Sequence, residues 1–188
     1  DGKYLFVANA NDNNVSVIDT RQMKVIETLN SALYPNAPSG STTNSVALSK
    51  DEKTLYIANA DNNCLAVFDI TVIGSCKSKG FIPTAWYPSC VRVAKNKILV
   101  SNAKGLTSMA NPYGPNPYRK GEEVIYQQGG QEQKIKVQYI GGLFKGTLGI
   151  LNIPNDTQMA VYSQAVYNNT PYNKEKEMVS EGAEGNPV

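Results

Sequence analysis

The chain has 188 residues, 41% of them apolar and 18% charged, and its 18 basic and 16 acidic side chains leave a net charge of +2. That is enough apolar sequence to bury a core, and too small a charge imbalance to require nucleic acid or an anionic membrane as partner. Histidine is absent, which removes the usual imidazole base, the Ser-His and Cys-His nucleophile pairs and the commonest ligand of zinc, copper and haem.

No run of about eighteen apolar residues occurs, so no spanning helix is expected. The first residue is Asp1 and strand-like sequence begins by Tyr4, which reads as a processed or truncated start of something longer. Residues 1–20 then align without a gap on residues 51–70, with nine identities that include Asn9/Asn59, Asn13/Asn63 and Asp19/Asp69. Each copy has a turn, a β-rich run ("YLFVAN", "TLYIAN"), an Asn/Asp cluster and a second run ("VSVIDT", "LAVFDI"). Further strands are expected in "KVIETL", "NSVALS", "GFIPTA" and "CVRVA".

A third copy is interrupted. "ILVSNAKG" at 98–105 supplies its first half, with Asn102 in the repeat position, and "GTLGILNIP" at 146–154 supplies its second. A unit of four short antiparallel strands in about 43–50 residues describes a β-propeller blade. The fold class expected is therefore all-β, a propeller of four-stranded blades over residues 1–154, of which this chain holds about four when incomplete ends are counted.

Two segments leave the pattern. The insert at 104–146 begins with a Gly/Pro/Asn loop and continues into alternating runs around Gly129-Gly130, which predict a hairpin. After residue 154 the spacing of Met159, Tyr162, Ala165, Val166 and Tyr167 predicts a short helix capped at Asn155 or Asp156. The remainder to residue 188 is polar and Gly-rich, as linkers are, and is expected to lead to a downstream domain.

Candidate chemistry falls at five places. Asn9, Asn11 and Asn13 alternate as in a calcium loop, but Asn14 and Thr20 stand where that loop needs Gly and Glu. The cluster therefore reads as a hairpin turn, and Asn9, Asn13, Asn59, Asn63 and Asn102 as structural. Asp19 and Asp69 end equivalent strands, where accepting amide bonds from the next turn is the simplest role. The insert is the best binding candidate, because long irregular loops in compact domains usually carry function. Asn111, Tyr113, Asn116, Tyr118, Arg119 and Lys120 are its contact groups. Trp86 packs between blades or stacks on a sugar from the rim. Cys64, Cys76 and Cys90 form no CxxC pair, so no zinc or iron–sulfur site is expected. They read as small buried hydrophobes, with a Cys76–Cys90 bridge as the alternative in an exported protein. No catalytic residue, metal or cofactor is expected from these patterns.

The units "YLFVANANDNNVSVIDT" and "TLYIANADNNCLAVFDI" resemble the YVTN repeat of YncE-type and surface-layer β-propellers. The third copy departs from that pattern at Ser101 and Asn152. "NAKGLTSMANPYGPNP", "YIGGLFKGTLGI" and "VYNNTPYNKEKE" further resemble the closing part of a propeller joined to an alkaline-phosphatase-like phosphoesterase. The resemblance implies a seven-bladed ring and an exported, periplasmic or cell-surface bacterial protein. It also implies a non-catalytic scaffold that binds a protein partner, an adjacent domain or a cell-surface glycan. The alternative it leaves open is an accessory part of a phosphoesterase, contributing substrate contacts from 104–146.

Overall fold

The computed structural model describes residues 2–106, 123–136 and 145–170. In chain order, β1 (Tyr4–Asn9), β2 (Asn14–Asp19) and β3 (Lys24–Asn30) form a three-stranded antiparallel sheet, blade 1. β4 (Thr43–Leu48), β5 (Thr54–Asn59), β6 (Cys64–Asp69) and β7 (Lys77–Pro83) form a complete four-stranded meander, blade 2. β8 (Trp86–Ala94) and β9 (Lys97–Gly105) follow, then the hairpin β10 (Glu123–Gln128) and β11 (Gln131–Lys136). β12 (Thr147–Asn152) returns to β9, giving the order β12-β9-β8 in blade 3, and α1 (Asp156–Asn169) ends the described chain. The architecture is all-β, of propeller type, with one short C-terminal helix. No helix among the described residues is long and apolar enough to cross a membrane.

The repeat survives as register. Asn9 pairs with Asn14 and Tyr4 with Asp19 in blade 1; Asn59 pairs with Cys64 and Thr54 with Asp69 in blade 2. In blade 3, Asn102 pairs with Thr147 and Lys97 with Asn152, so the interrupted copy closes in the same register across its insert. The outer strand pairs also share a bulge, between Val17 and Ile18 and again between Val67 and Phe68. In the inserted hairpin, Gly129 and Gly130 take φ of 61° and 77°, the pair of positive values a two-residue turn needs to match strand twist.

Strand alternation sends side chains to both faces, and in blade 2 both faces are buried. Leu55, Ile57, Ala66 and Phe68 meet Val15, Val17 and Leu29 of blade 1. Tyr56, Ala58, Leu65 and Val67 meet Val91, Ile98 and Val100 of blade 3. Each fully buried Leu or Ile contributes about 1.5–3 kcal/mol relative to exposure, so these two clusters are the main source of stability. The outward faces of blades 1 and 3 place apolar side chains at the same repeat positions. Leu5, the counterpart of buried Leu55, is 52% exposed, and Leu148 and Ile150, the counterparts of Leu65 and Val67, are 62% and 60% exposed. Cys64 is buried in the first cluster, Cys76 and Cys90 are half-buried, and all three are free thiols.

The helix begins with a capping box: Asn155 Oδ1 accepts from Gln158 N (2.9 Å) while Gln158 Oε1 accepts from Asn155 N (3.1 Å). It packs on β7, the outer strand of blade 2, rather than extending blade 3. Met159 enters the blade 2/3 cluster and Val166 the blade 1/2 cluster. Tyr167 donates from its hydroxyl to Leu33 O (3.0 Å) and meets Phe81 edge-to-face at 5.7 Å. The close approach depends on Gly80, whose φ is +116° and whose missing Cβ would lie 2.2 Å from Ser163 Oγ. That hydroxyl accepts from Phe81 N (2.9 Å) and donates to Met159 O (2.8 Å).

Gly80→Ala is therefore expected to cost about 1–3 kcal/mol through backbone strain and helix displacement. Calorimetry should show a lower melting temperature, and hydrogen exchange should show α1 losing protection before β5 and β6. An unchanged melting temperature would count against this packing.

Candidate binding rim

The turns 10–13 and 60–63, the loops 31–42 and 84–85 and the end of β9 all lie at one end of the sheets, here called the upper rim. Asn13 and Asn63 close equivalent turns, each with φ of 52°, a left-handed conformation that Asn tolerates better than most residues. Their main-chain oxygens accept from the residue that follows their own blade: Ser31 N onto Asn13 (2.9 Å) and Thr84 N onto Asn63 (3.0 Å). Their side chains reach the next blade. Asn13 Oδ1 accepts from Gly40 N (3.1 Å) and Ser41 N (2.8 Å), its Nδ2 donates to Pro38 O (2.8 Å), and Asn63 Oδ1 accepts from Tyr87 N (2.8 Å). The Asn13 and Asn63 amide oxygens thus serve backbone N–H groups.

The second set of repeat asparagines points inward. Asn9 donates to Asn14 Oδ1 (2.7 Å) and Ser16 Oγ (2.8 Å). Buried Asn59 accepts from Thr43 Oγ1 (2.9 Å) and donates to Ser31 O (2.6 Å). Asn102 is as buried, at 2% exposure, and donates weakly to Val100 O and Thr147 Oγ1, both at 3.4 Å. Its Oδ1 is a buried acceptor with no partner, because Pro88 stands opposite it where Thr43 stands opposite Asn59. The orphaned acceptor lies at the base of the broken repeat.

On this frame two neighbouring blades carry opposite chemistry. Thr42 and Tyr87 occupy equivalent positions at the start of the inner strands, with φ of 50° and 63°. Such values are costly for a β-branched or bulky residue and concentrate at functional positions. In blade 2 the Thr42 hydroxyl donates to the Asp61 carboxylate. In blade 3 the counterpart of Asp61 is Lys104, whose ammonium sits 4.1 Å from the Tyr87 ring centroid and 5.7 Å from that of Trp86. A recess of about 260 Å³ lies beside Asp61, walled by Leu33, Tyr34, Pro38, Ser41 and Asn62. The rim thus offers an acid, a cation and a half-buried aromatic pair to one approaching surface.

Among the residues singled out in sequence, Trp86 lies in this cluster. Asn111, Tyr113, Asn116, Tyr118, Arg119 and Lys120 fall outside the described residues. Sequence reasoning places Asp61 in the Asn/Asp turn and does not single out Tyr87, Lys104 or Thr42, although the alignment of Asp61 with Lys104 is a readable signal. Asp19 and Asp69 stand at the opposite end. Asp19 accepts from Gln22 N (2.9 Å) and Arg21 N (2.8 Å); Asp69 accepts from the Thr71 hydroxyl and from Thr71 N (2.9 Å). The Gln22 amide holds Asp19 below the ordinary carboxylate value, and the Thr71 hydroxyl does the same for Asp69.

No known family profile matches the chain, and no curated protein matches it significantly. Among solved structures, hydrazine synthase from Kuenenia stuttgartiensis is similar over 55% of this chain and 27% of its own, at 23% identity and a TM-score of 0.45. A putative 6-phosphogluconolactonase from Bacteroides uniformis is similar over 80% and 40%, at 15% identity and a TM-score of 0.47. The β-propeller domain of Myceliophteria thermophila Cps50 (Swd1) is similar over 72% and 36%, at 12% identity and a TM-score of 0.43. The chain spans between 27% and 40% of the length of these three.

Two predictions follow from the rim and its opposite end. Asn13→Ala strands two amide donors and should cost about 1–3 kcal/mol in chemical denaturation, whereas Asn11→Ala, on the exposed tip, should stay within about 0.5 kcal/mol. Calcium should leave both melting temperatures unchanged. For the aspartates, a folded pKa below the ordinary 3.8 means stabilisation that is present above that value and lost as pH falls through the folded one. The Asp19→Asn/Asp69→Asn variant should therefore melt below the wild type at pH 7 and converge with it as the pH falls below the ordinary 3.8 and through the lower folded values.

Proposed function

We propose that the chain is a non-catalytic interaction module of a YVTN/YncE-type β-propeller in an exported bacterial cell-envelope or surface-layer protein. Its upper rim holds a protein partner or an adjacent domain. The carrying observation is the third repeat. Strands β9 and β12 keep the register Asn102↔Thr147, while residues 103–146 stand where the other blades need only 10–13 and 60–63. A turn that closes a blade in four residues has no folding reason to be so long, and long loops on a rigid frame are where recognition resides.

Three features support a macromolecular partner. The insert leaves the frame beside Lys104, Trp86 and Tyr87, and aromatic and cationic groups of this kind anchor protein interfaces. The same aromatic pair suits stacking on a cell-surface glycan. The apolar outward faces of blades 1 and 3 repeat the pattern of the two buried inter-blade faces, and suit packing on further sheets of the same kind.

The test replaces residues 103–146 by the turn Ala60-Asp61-Asn62-Asn63. The variant should fold and melt at or above the wild-type temperature, since a shorter loop costs less to close. A partner crosslinked to the wild type in its native envelope should be lost. Undiminished crosslinking places recognition elsewhere. Loss of phosphate-ester turnover by the intact native protein, with folding unchanged, favours the accessory phosphoesterase role.

A further inference from the structure

The two blade junctions differ at the upper rim. Blade 1 passes to blade 2 through residues 31–42, whereas blade 2 passes to blade 3 through 84–85 alone. The long connection is not needed to join the strands, yet it is pinned along its length. Asn30 Nδ2 donates to Pro35 O (3.1 Å), Ala37 N to Tyr34 O (3.1 Å) and the Tyr167 hydroxyl to Leu33 O (3.0 Å). Asn13 holds its far end through Pro38, Gly40 and Ser41. A loop fixed in this way presents the recess of about 260 Å³ with its walls already in place, which lowers the cost of binding there.

Asp61 is the one charged residue among the described residues that line the recess, and Leu33, Tyr34, Ala37 and Pro38 give it apolar walls. The repeat does not need an acid at this place. Asn11 stands there in blade 1 and closes a turn of the same length without a charge. The Asp61 carboxylate is also held in position. Its main-chain N–H donates to Ser41 O (3.2 Å) and the Thr42 hydroxyl donates to Oδ2, while Oδ1 accepts from no described residue. Asn62 donates to Ser41 Oγ (2.8 Å), which ties the turn to the loop.

We infer that this recess is a socket for a basic side chain, arginine or lysine, of a protein that docks on the upper rim. The inference rests on the reading of that rim as a protein-binding surface. A basic side chain has an apolar stem to lie along Leu33, Tyr34 and Pro38, and a cationic head to reach Asp61 Oδ1. An acidic side chain would meet only a like charge. An apolar one would strip the carboxylate of water without replacing it. Lys104 holds the counterpart place in blade 3, so neighbouring blades turn opposite charges to the rim and fix the orientation of what docks there.

The probe is a blocked Ala-Arg-Ala tripeptide, titrated against the full chain with amide NMR, and its citrulline analogue is the neutral control of the same shape. Saturable shifts at Leu33, Tyr34, Asp61 and Asn62 are expected with the arginine peptide, weakening as salt is raised. The citrulline peptide should bind about tenfold more weakly. Asp61→Asn should weaken arginine binding by about the same factor and melt like the wild type, because the asparagine carbonyl still accepts from Thr42. Asn11→Asp, which adds a carboxylate at the same repeat place outside the recess, should create no second site. If the arginine peptide gives no saturable response, or binds Asp61→Asn as tightly as the wild type, the socket is overturned, whatever replacing 103–146 does to partner crosslinking. Saturable binding in the recess with crosslinking undiminished by that replacement upholds the socket and overturns the role given to the insert.

Discussion

In blades 1 and 2 one asparagine, in left-handed backbone at the close of a four-residue turn, ties the sheet to the next. Blade 2 is stable only because both of its faces are covered, and coverage requires adjacent sheets to sit at a fixed spacing and rotation. Hydrophobic contact supplies the energy but not the registry, since apolar burial is non-directional. Asn13 and Asn63 supply the registry. The backbone oxygen holds the end of the residue's own blade, and the side-chain amide holds the start of the following one. Each such bond is worth about 0.5–1.5 kcal/mol net. Asn is suited to the position because it accepts positive φ and offers both a donor and an acceptor within one short side chain.

With registry fixed in this way, neighbouring positions become free to vary. Thr42 and Tyr87 both take positive φ, and Asp61 and Lys104 hold the same place in the repeat, yet one pair is a hydroxyl and carboxylate and the other an aromatic and ammonium. Phe6 and Tyr56 differ by one oxygen on equivalent rings. Asn59 Oδ1 accepts from the Thr43 hydroxyl, whereas Asn102 Oδ1, opposite Pro88, has no donor. Comparing blades within one molecule separates what the fold needs from what it does not. What all blades share is structural, and what one blade alone carries is the place to look for recognition.

Much of this was legible in the sequence because the repeat is local. The strands, the two turns, the bridging of the third copy and the glycine hairpin all follow from spacings of a few residues. The helix was legible too, from its cap and its apolar spacing. Its destination was not. Nothing in "QMAVYSQAVY" says that it leaves blade 3 and seals β7, because that depends on the space left above Gly80, eighty residues away. The Lys104–Tyr87 contact was hidden for the same reason: it joins side chains from two strands, and distance along the chain conceals such pairs.

The placement of α1 also constrains the angle between blades. Met159 belongs to the blade 2/3 cluster and Val166 to the blade 1/2 cluster, seven residues apart on one helix. A rigid helix inserted into both clusters resists any change in the angle between blades.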